Sequence, residues 1–191
     1  MEYLHTQLGG AEVVLRDLAD DDIETFVAYW HESPPEHLAF LGVDPDKLGT
    51  PDDTRERFRR SIRNGDPEQE RVVFVVTVDG RPVAYTNLHF VGPGENYIHG
   101  HVVDPEMRDR GIATLMSLRV IEVVFREFPI DRLHLQTRAT NDRINHVLER
   151  LGFELEPRQL ADPDGLPTPG EFRVCELDRA FVQGVVATTC N

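Results

Sequence analysis

One segment of the sequence combines small residues with paired arginines in a way that suits phosphate binding. Arg108 and Arg110 precede Gly111, and Ala113 follows two residues later. A strand pattern ends before this segment and an apolar helix pattern begins within it, so backbone N–H groups are left uncovered at a helix N-terminus. With the two guanidinium groups they form a nest of positive charge that suits a pyrophosphate. The alternative is a tight turn that needs small residues only for packing.

A second group of residues has side chains that can move a proton. Tyr97, His99 and His101 alternate along one strand pattern, which places all three on the same face of a sheet. A histidine titrates near neutrality and can take a proton from an amine directly or through water. These three are the candidate catalytic residues. The alternative is that both histidines are half-buried strand residues with hydrogen-bonded rings, and two histidines without a third ligand do not predict a metal site.

Strand and helix patterns alternate along the chain, which predicts one domain of mixed α/β class. The expected strands lie at 13–18, 71–78, 82–91, 96–104, 131–137, 153–155 and 172–177. The expected helices lie at 20–30, 51–63, 111–128 and 141–151. Asp79-Gly80 is a strong hairpin signal between two of the strands. The domain is expected to span 11–179, and 180–191 is expected to be a C-terminal tail.

Composition limits the classes of partner. The 191 residues carry a formal net charge of −14, so a surface that repels phosphate backbones is expected and nucleic-acid binding is not. The charge favours a cationic or neutral partner. The longest apolar run in a strand-like segment, 72–76, is too short to cross a bilayer, so no membrane partner is expected. Two cysteines allow one disulfide at most, which favours a reduced, cytoplasmic protein.

Three motifs occur in a fixed order. Residues 108–113 fit the pattern Gln or Arg, two residues, Gly, one residue, then Gly or Ala. Residues 141–153 begin with Asn141, continue as a short helix pattern and end in Gly152-Phe153. Leu15-Arg16-x-Leu18 opens the series. In these motifs and their spacing the sequence, from about 13 to 177, resembles the GNAT superfamily of acetyl-CoA-dependent N-acetyltransferases, near the subgroup that acetylates ribosomal-protein N-termini.

The resemblance implies a particular architecture. It is the GNAT fold, with a central mixed and strongly twisted sheet of six to seven strands and about four helices. Its parallel fourth and fifth strands, 96–104 and 131–137 here, would splay apart at their C-terminal ends.

The resemblance also implies a site for acetyl-CoA as cosubstrate, with no metal. The pantetheine arm would pair with the backbone of His101, Val102 and Val103, and a backbone N–H near Val103 would stabilise the oxyanion. The residues implied to hold the pyrophosphate are Arg108, Asp109, Arg110, Gly111, Ile112, Ala113 and Thr114. Asn141 matches the family's asparagine near the coenzyme arm, although asparagine is also an ordinary helix N-cap.

Two family positions differ in this chain. Many members have a tyrosine acid where this chain has Leu148, and some have a glutamate base where it has Gln136. The acceptor is expected to contact the segment after the first helix, with Trp30, His31 and Glu32 as substrate-binding candidates. The alternative for these three is a core role for Trp30 and solvated charges for the others.

The resemblance therefore implies transfer of an acetyl group from acetyl-CoA to a primary amine on a small molecule or peptide. The alternative function is a non-catalytic acyl-CoA-binding sensor or interaction module, because the usual acid and base are absent. Release of free thiol in the presence of a panel of amines separates the two. The oligomeric state is open, with a homodimer as one option.

Overall fold

A twisted sheet forms the centre of the structure, a computed structural model that describes residues 1–66, 69–92, 95–108, 110–157 and 170–189. Its eight strands, within these ranges, are β1 (Glu2–Leu8), β2 (Ala11–Asp17), β3 (Arg71–Val78), β4 (Arg81–Gly92), β5 (Glu95–Val102), β6 (Arg132–Arg138), β7 (Glu156–Pro157) and β8 (Phe172–Asp178). Their spatial order is β1-β2-β3-β4-β5-β6-β8-β7. Only β5 and β6 are parallel; the other neighbours are antiparallel.

Helices cover both faces of the sheet. They are α1 (Ile23–Glu32), α2 (Pro35–Leu41), α3 (Pro51–Arg59), α4 (Ile112–Leu115), α5 (Ile121–Glu127), α6 (Asp142–Arg150) and α7 (Arg179–Thr189). Side chains of α1, α2 and α3 form one core cluster with the sheet, and those of α4 to α7 form the other. No helix of the described ranges is long and apolar enough to cross a membrane.

The centre of the sheet follows directly from the sequence. β3 is buried on both faces, because Phe74 packs into one core cluster while Val73 and Val75 pack into the other. Asp79 and Gly80 have φ angles of 47° and 78° and form the predicted tight turn between β3 and β4. The mixed α/β class and the parallel strand pair are confirmed, although the sheet has one strand more than the six to seven expected.

Both ends of the chain differ from the expectation. The domain was predicted to start at residue 11, but β1 pairs with β2 from Glu2 to Leu8. The predicted tail over 180–191 instead begins as α7, and its last two residues lie outside the described ranges. Val182 is buried, and the rings of Phe153 and Phe181 lie 5.5 Å apart. The helix forms because its apolar side chains find a place in the core.

The segment after α1, for which the sequence predicts no helix, contains α2. Pro35 occupies the first turn of α2, where its missing N–H leaves no hydrogen bond unmade, and Gly42 ends the helix with a φ of 73°. Pro34 and Pro35 therefore mark the start of a short helix.

Gly100 on β5 allows the helical segment that contains Met116 to approach the sheet closely. A Cβ at this position would lie 2.7 Å from Met116 Cε, 2.9 Å from Thr86 Oγ1 and 3.1 Å from the Tyr85 carbonyl oxygen. We expect Gly100→Ala to lower the free energy of unfolding by about 1–3 kcal/mol through overpacking, measured by urea denaturation. Gly184→Ala on α7, where a Cβ meets no atom within 4 Å, should leave stability unchanged or raise it. Equal stabilities for wild type and Gly100→Ala would contradict the close approach.

Candidate active site

The parallel strands separate after a short paired stretch. β5 and β6 pair only at Tyr97 with His134 and at Ile98 with Leu135, although β5 continues to Val102 and β6 to Arg138. A cavity of about 660 Å³ lies at the gap and reaches the helices on both faces of the sheet. The gap is the splay that the resemblance implied.

The hydrogen-bond pattern of β5 determines which backbone groups face the gap. The N–H of Val103 donates to the carbonyl oxygen of Val83 on the β4 side, at 2.9 Å. Since backbone groups alternate sides along an antiparallel strand, His101 also faces β4, and Gly100 and Val102 face the gap. The N–H of Val103 itself is therefore occupied, and the N–H near it that faces the gap belongs to Val102.

The predicted phosphate loop connects β5 to α4, on the face of the sheet that α4 to α7 cover. Gly111 has a φ of 84° and a ψ of 0°, and the helix begins at Ile112. Gly111, Ala113, Thr114 and Arg108 border the cavity.

Two other predicted members of the loop are not among the residues that line the cavity. Ile112 is buried in the core, and Arg110 is exposed and not among the cavity-lining residues. Asp109 lies outside the described residues. The loop therefore offers one predicted arginine, Arg108, to a ligand in the cavity.

A π-helical segment over Met116–Val120 joins α4 to α5, so that residues 112–127 form one helical rod. Met116 and Ser117 on the widened turn border the cavity. π-helical turns within α-helices are frequent at functional sites. The apolar periodicity of 111–128 predicted a helix but gave no sign of the widened turn.

Helix α6 forms another wall of the cavity and is fixed to the end of β6. Asn141 borders the cavity and caps the helix, accepting a hydrogen bond from the Ile144 N–H at 3.5 Å. Asn145 is buried; its Nδ2 donates to the carbonyl oxygens of Arg138 at 3.0 Å and Ala139 at 3.1 Å, and its Oδ1 accepts from the Thr137 hydroxyl. Asn145 was not among the residues predicted from the sequence. The one signal for it is that it is a polar residue on the apolar side of a short helix.

The three candidate catalytic residues lie together on the α1–α3 side of the gap. The rings of Tyr97 and His99 are 5.3 Å apart, and those of His99 and His101 are 5.6 Å apart. All three border the cavity. The side-chain amide of Asn87 lies 2.8 Å from His99 Nε2. The alternation predicted from the sequence therefore holds, with no bulge at Gly100.

His101 is surrounded by aromatic rings. The hydroxyl of Tyr29 lies 3.3 Å from His101 Nδ1, and the Trp30 ring lies 4.9 Å from the imidazole ring. Trp30 in turn donates through Nε1 to the Tyr85 hydroxyl at 2.8 Å. Burial raises the pKa of Tyr29, which keeps its hydroxyl protonated near neutral pH.

The acceptor-side candidates are not all brought to the cavity. Trp30 borders it, but His31 Nε2 lies 2.9 Å from the Thr54 hydroxyl and Glu32 is exposed. Neither His31 nor Glu32 is among the lining residues. His37, from the same segment after the first helix, is brought to the cavity by α2.

The two positions at which this chain differs from the family pattern lie in different surroundings. Leu148 is completely buried in the core, so nothing at this position can donate a proton. Gln136 borders the cavity from β6 but carries no ionisable group. No direct replacement for the family's acid or base stands at either position.

The charge of the cavity is opposite to that of the chain. The described residues that line it include six arginines and no aspartate or glutamate: Arg57, Arg71, Arg108, Arg138, Arg143 and Arg150. Arg138 extends over the Phe172 ring and donates to the Gly42 carbonyl oxygen at 3.0 Å. This arginine therefore links β6 to the end of α2. Among the described residues, no three His, Cys, Asp or Glu side chains come together as a metal site.

Solved structures with this fold include several acetyltransferases. The chain is similar to Mycobacterium smegmatis RimJ in complex with CoA-disulfide, with 16% identity over 99% of this chain and 95% of that chain and a TM-score of 0.71. It is also similar to spermidine N-acetyltransferase from Vibrio cholerae in complex with CoA and spermine, with 15% identity over 90% and 98% and a TM-score of 0.71.

A third similar structure is RimL, a ribosomal L7/L12 alpha-N-protein acetyltransferase in complex with coenzyme A. The identity is 14% over 93% of this chain and 98% of that chain, with a TM-score of 0.71. No curated protein matches the chain by sequence. The family model described as an acetyltransferase (GNAT) domain matches residues 12–154. The resemblance drawn from the motifs is thereby confirmed: this chain belongs to the GNAT acetyltransferase family.

Proposed function

We propose that the chain transfers an acetyl group from acetyl-CoA to a primary amine, and that the two substrates meet at the gap between β5 and β6. The observation that carries the proposal is the separation of these strands after two residue pairs, above a cavity that begins at the glycine loop. A gap of this kind leaves strand backbone without a partner strand, and an extended amide-containing arm can replace that partner.

The residues present fit such a coenzyme at both ends. Val102 offers backbone groups at the gap to the amides of the pantetheine arm. Arg108 and the backbone at Gly111, Ala113 and Thr114 form the pyrophosphate end, where a positive helix N-terminus favours negative charge. When bound, acetyl-CoA supplies the acetyl thioester that the amine attacks.

On the acceptor side, His101 is the proposed general base. Its ring borders the cavity next to the backbone of Gly100 and Val102, where the reacting carbonyl would lie. His101 takes the proton that the amine loses on attack, and the N–H of Val102 stabilises the oxyanion. Because Leu148 is not an acid, the departing thiolate takes its proton from water.

The charge of the cavity supports a particular kind of acceptor. A polyamine needs carboxylates for its several ammonium groups, and the described lining has none. We therefore propose an amine on an uncharged or anionic carrier, such as the α-amine of a peptide. The net charge of the whole chain favours a cationic or neutral acceptor, but the local charge at the cavity is the one that a bound acceptor meets.

Calorimetry with CoA and release of free thiol from acetyl-CoA test the proposal together. We expect CoA to bind, and a peptide with a free α-amine to release thiol at least ~10-fold faster than spermidine. The same peptide with a blocked N-terminus is the matched control and should give only the background rate. A faster rate with spermidine would contradict the proposed acceptor class, and absence of CoA binding would contradict the proposed site.

One observation favours a second candidate, a non-catalytic acyl-CoA-binding module. Leu148 and Gln136 stand at the positions where the family's acid and base are expected. CoA binding without thiol release for any amine in the panel would support the module. The cytoplasm as compartment and a homodimer as assembly stay predictions from the sequence.

A further inference from the structure

A chain of hydrogen-bonding side chains connects the proposed base to the phosphate loop. His101 Nδ1 lies 3.3 Å from the Tyr29 hydroxyl, and that hydroxyl lies 3.1 Å from His37 Nε2. The guanidinium Nη2 of Arg108 lies 3.4 Å from the same His37 nitrogen. The four residues come from β5, α1, α2 and the loop before α4, so the contacts join the acceptor side of the cavity to the coenzyme side.

Tyr29 has the properties of a proton-transfer group. Its hydroxyl can accept a hydrogen bond from one imidazole and donate one to the other. Burial raises the pKa of this hydroxyl, so it passes a proton on without becoming a tyrosinate. The Tyr29 ring also packs against both imidazoles, with centroid distances of 5.7 Å to His101 and 5.6 Å to His37.

His37 stands at the solvent end of the chain and is only half-buried. Tyr29 faces it from α1 and Arg108 faces it from the coenzyme loop; His101 follows behind Tyr29 on β5. Burial, and then the positive charge of Arg108, lower the pKa of His37. While Arg108 donates to Nε2, this nitrogen is a poor proton acceptor.

Arg108 has a second use for the same guanidinium group. It lies three residues before Gly111 in the loop proposed to hold the pyrophosphate, and it borders the cavity. Two negative phosphates compete strongly for an arginine that otherwise holds only a neutral imidazole.

We propose, on the basis of the proposed function, that Tyr29 and His37 carry the amine proton from His101 to solvent, and that Arg108 blocks this relay until the coenzyme pyrophosphate engages it. Proton transfer from the acceptor is thereby coupled to occupancy of the coenzyme site. Neither Tyr29 nor His37 touches the reacting atoms; both act through His101.

The proton steps balance as follows. The amine gives a proton to His101 Nε2, and His101 Nδ1 gives its proton to the Tyr29 oxygen. Tyr29 gives its own hydroxyl proton to His37 Nε2, and His37 releases the proton on Nδ1 to water. The net result is one proton moved from the amine to solvent, and rotation of the hydroxyl and tautomer exchange in both rings reset the relay.

NMR titration of the His37 imidazole with and without saturating CoA tests the block directly and needs no acceptor. We expect CoA to raise the pKa of His37 and to tighten its proton binding about tenfold, because the charge of Arg108 is then neutralised. In Arg108→Gln the pKa should be raised already without CoA. If the pKa of His37 in the wild type stays unchanged while other resonances report CoA binding, the relay is overturned and the proposed function still stands. If CoA does not bind at all, the proposed function falls, and the relay with it.

Turnover in Tyr29→Phe tests the transfer step. We expect kcat to fall about tenfold with an unchanged KM for acetyl-CoA, and the loss to shrink at alkaline pH, where hydroxide can take the proton from His101 in place of the relay. A purely structural role would not give this pH dependence. Tyr3→Phe on β1 is the matched control: its hydroxyl also makes a close hydrogen bond, to Asp17 at 2.6 Å, but lies far along the sheet. Wild-type kcat across the pH range in Tyr29→Phe would overturn the relay.

Discussion

Gly111→Glu is expected to abolish coenzyme binding. The carboxylate would stand at the start of the helix, where the pyrophosphate is proposed to lie, and like charges a few ångströms apart repel by about 3 kcal/mol at a protein surface. That repulsion corresponds to more than ~100-fold in affinity. Calorimetry with CoA measures it directly.

Two control variants separate charge from backbone strain. Gly111→Ala carries only the strain of a φ of 84°, since its Cβ would lie 3.7 Å from Leu8, at ordinary contact distance. Gly152→Glu places the same carboxylate at another glycine with a φ of 84°, where a Cβ meets no atom within 4 Å. Gly152 is not among the residues that line the cavity, so CoA affinity should be unchanged there. Wild-type affinity in Gly111→Glu would remove the phosphate site from this loop.

The central sheet could be predicted from the sequence because its signals are local. Residues 72–76 are apolar without a break, so both faces of the strand carry apolar side chains, and Asp79-Gly80 permits only a few turn types. The motif at 108–113 likewise depends on a short backbone geometry, with Gly111 in the left-handed region. Sequence patterns are informative where a single turn or a strand period determines the structure.

The ends of the chain could not be predicted, for a different reason. β1 is an edge strand in which no residue is fully buried, so its sequence needs no run of apolar residues. The single local signal for this strand is the Gly9-Gly10 turn that follows it. α7 contains Gly184 and several valines, which are weak helix formers, and packing of Val182 holds it. Tertiary contacts determine both elements, and a single sequence does not reveal them.

The site was predicted where it lies on one strand and missed where it joins distant segments. Tyr97, His99 and His101 follow from alternation alone. His37 and Asn145 take their roles from contacts with Tyr29, Arg108 and the end of β6, far away in sequence. The charge of the cavity is also a property of the fold, because arginines from α3, β3, β6 and α6 meet there while the carboxylates lie elsewhere on the described surface.

His101→Ala is expected to lower kcat about 100-fold, the usual contribution of a positioned general base. The KM for acetyl-CoA should change little, because the imidazole faces the acceptor side of the gap. His99→Ala should cost less than ~10-fold. The His99 ring is already engaged through Nε2 with Asn87, whereas the His101 ring leads through Tyr29 toward solvent. Steady-state kinetics on both variants measure the difference.

The comparison between the two histidines decides where the proton leaves the amine. His5→Ala on β1 controls for loss of an imidazole at an exposed position, where it pairs with Glu12, and should retain full activity. If His101→Ala turns over normally while His99→Ala fails, the base is His99, two residues earlier on β5, and the route through Tyr29 and His37 no longer starts at the reacting amine. If both variants turn over normally, water takes the proton. The strand would then contribute only its backbone and shape to catalysis.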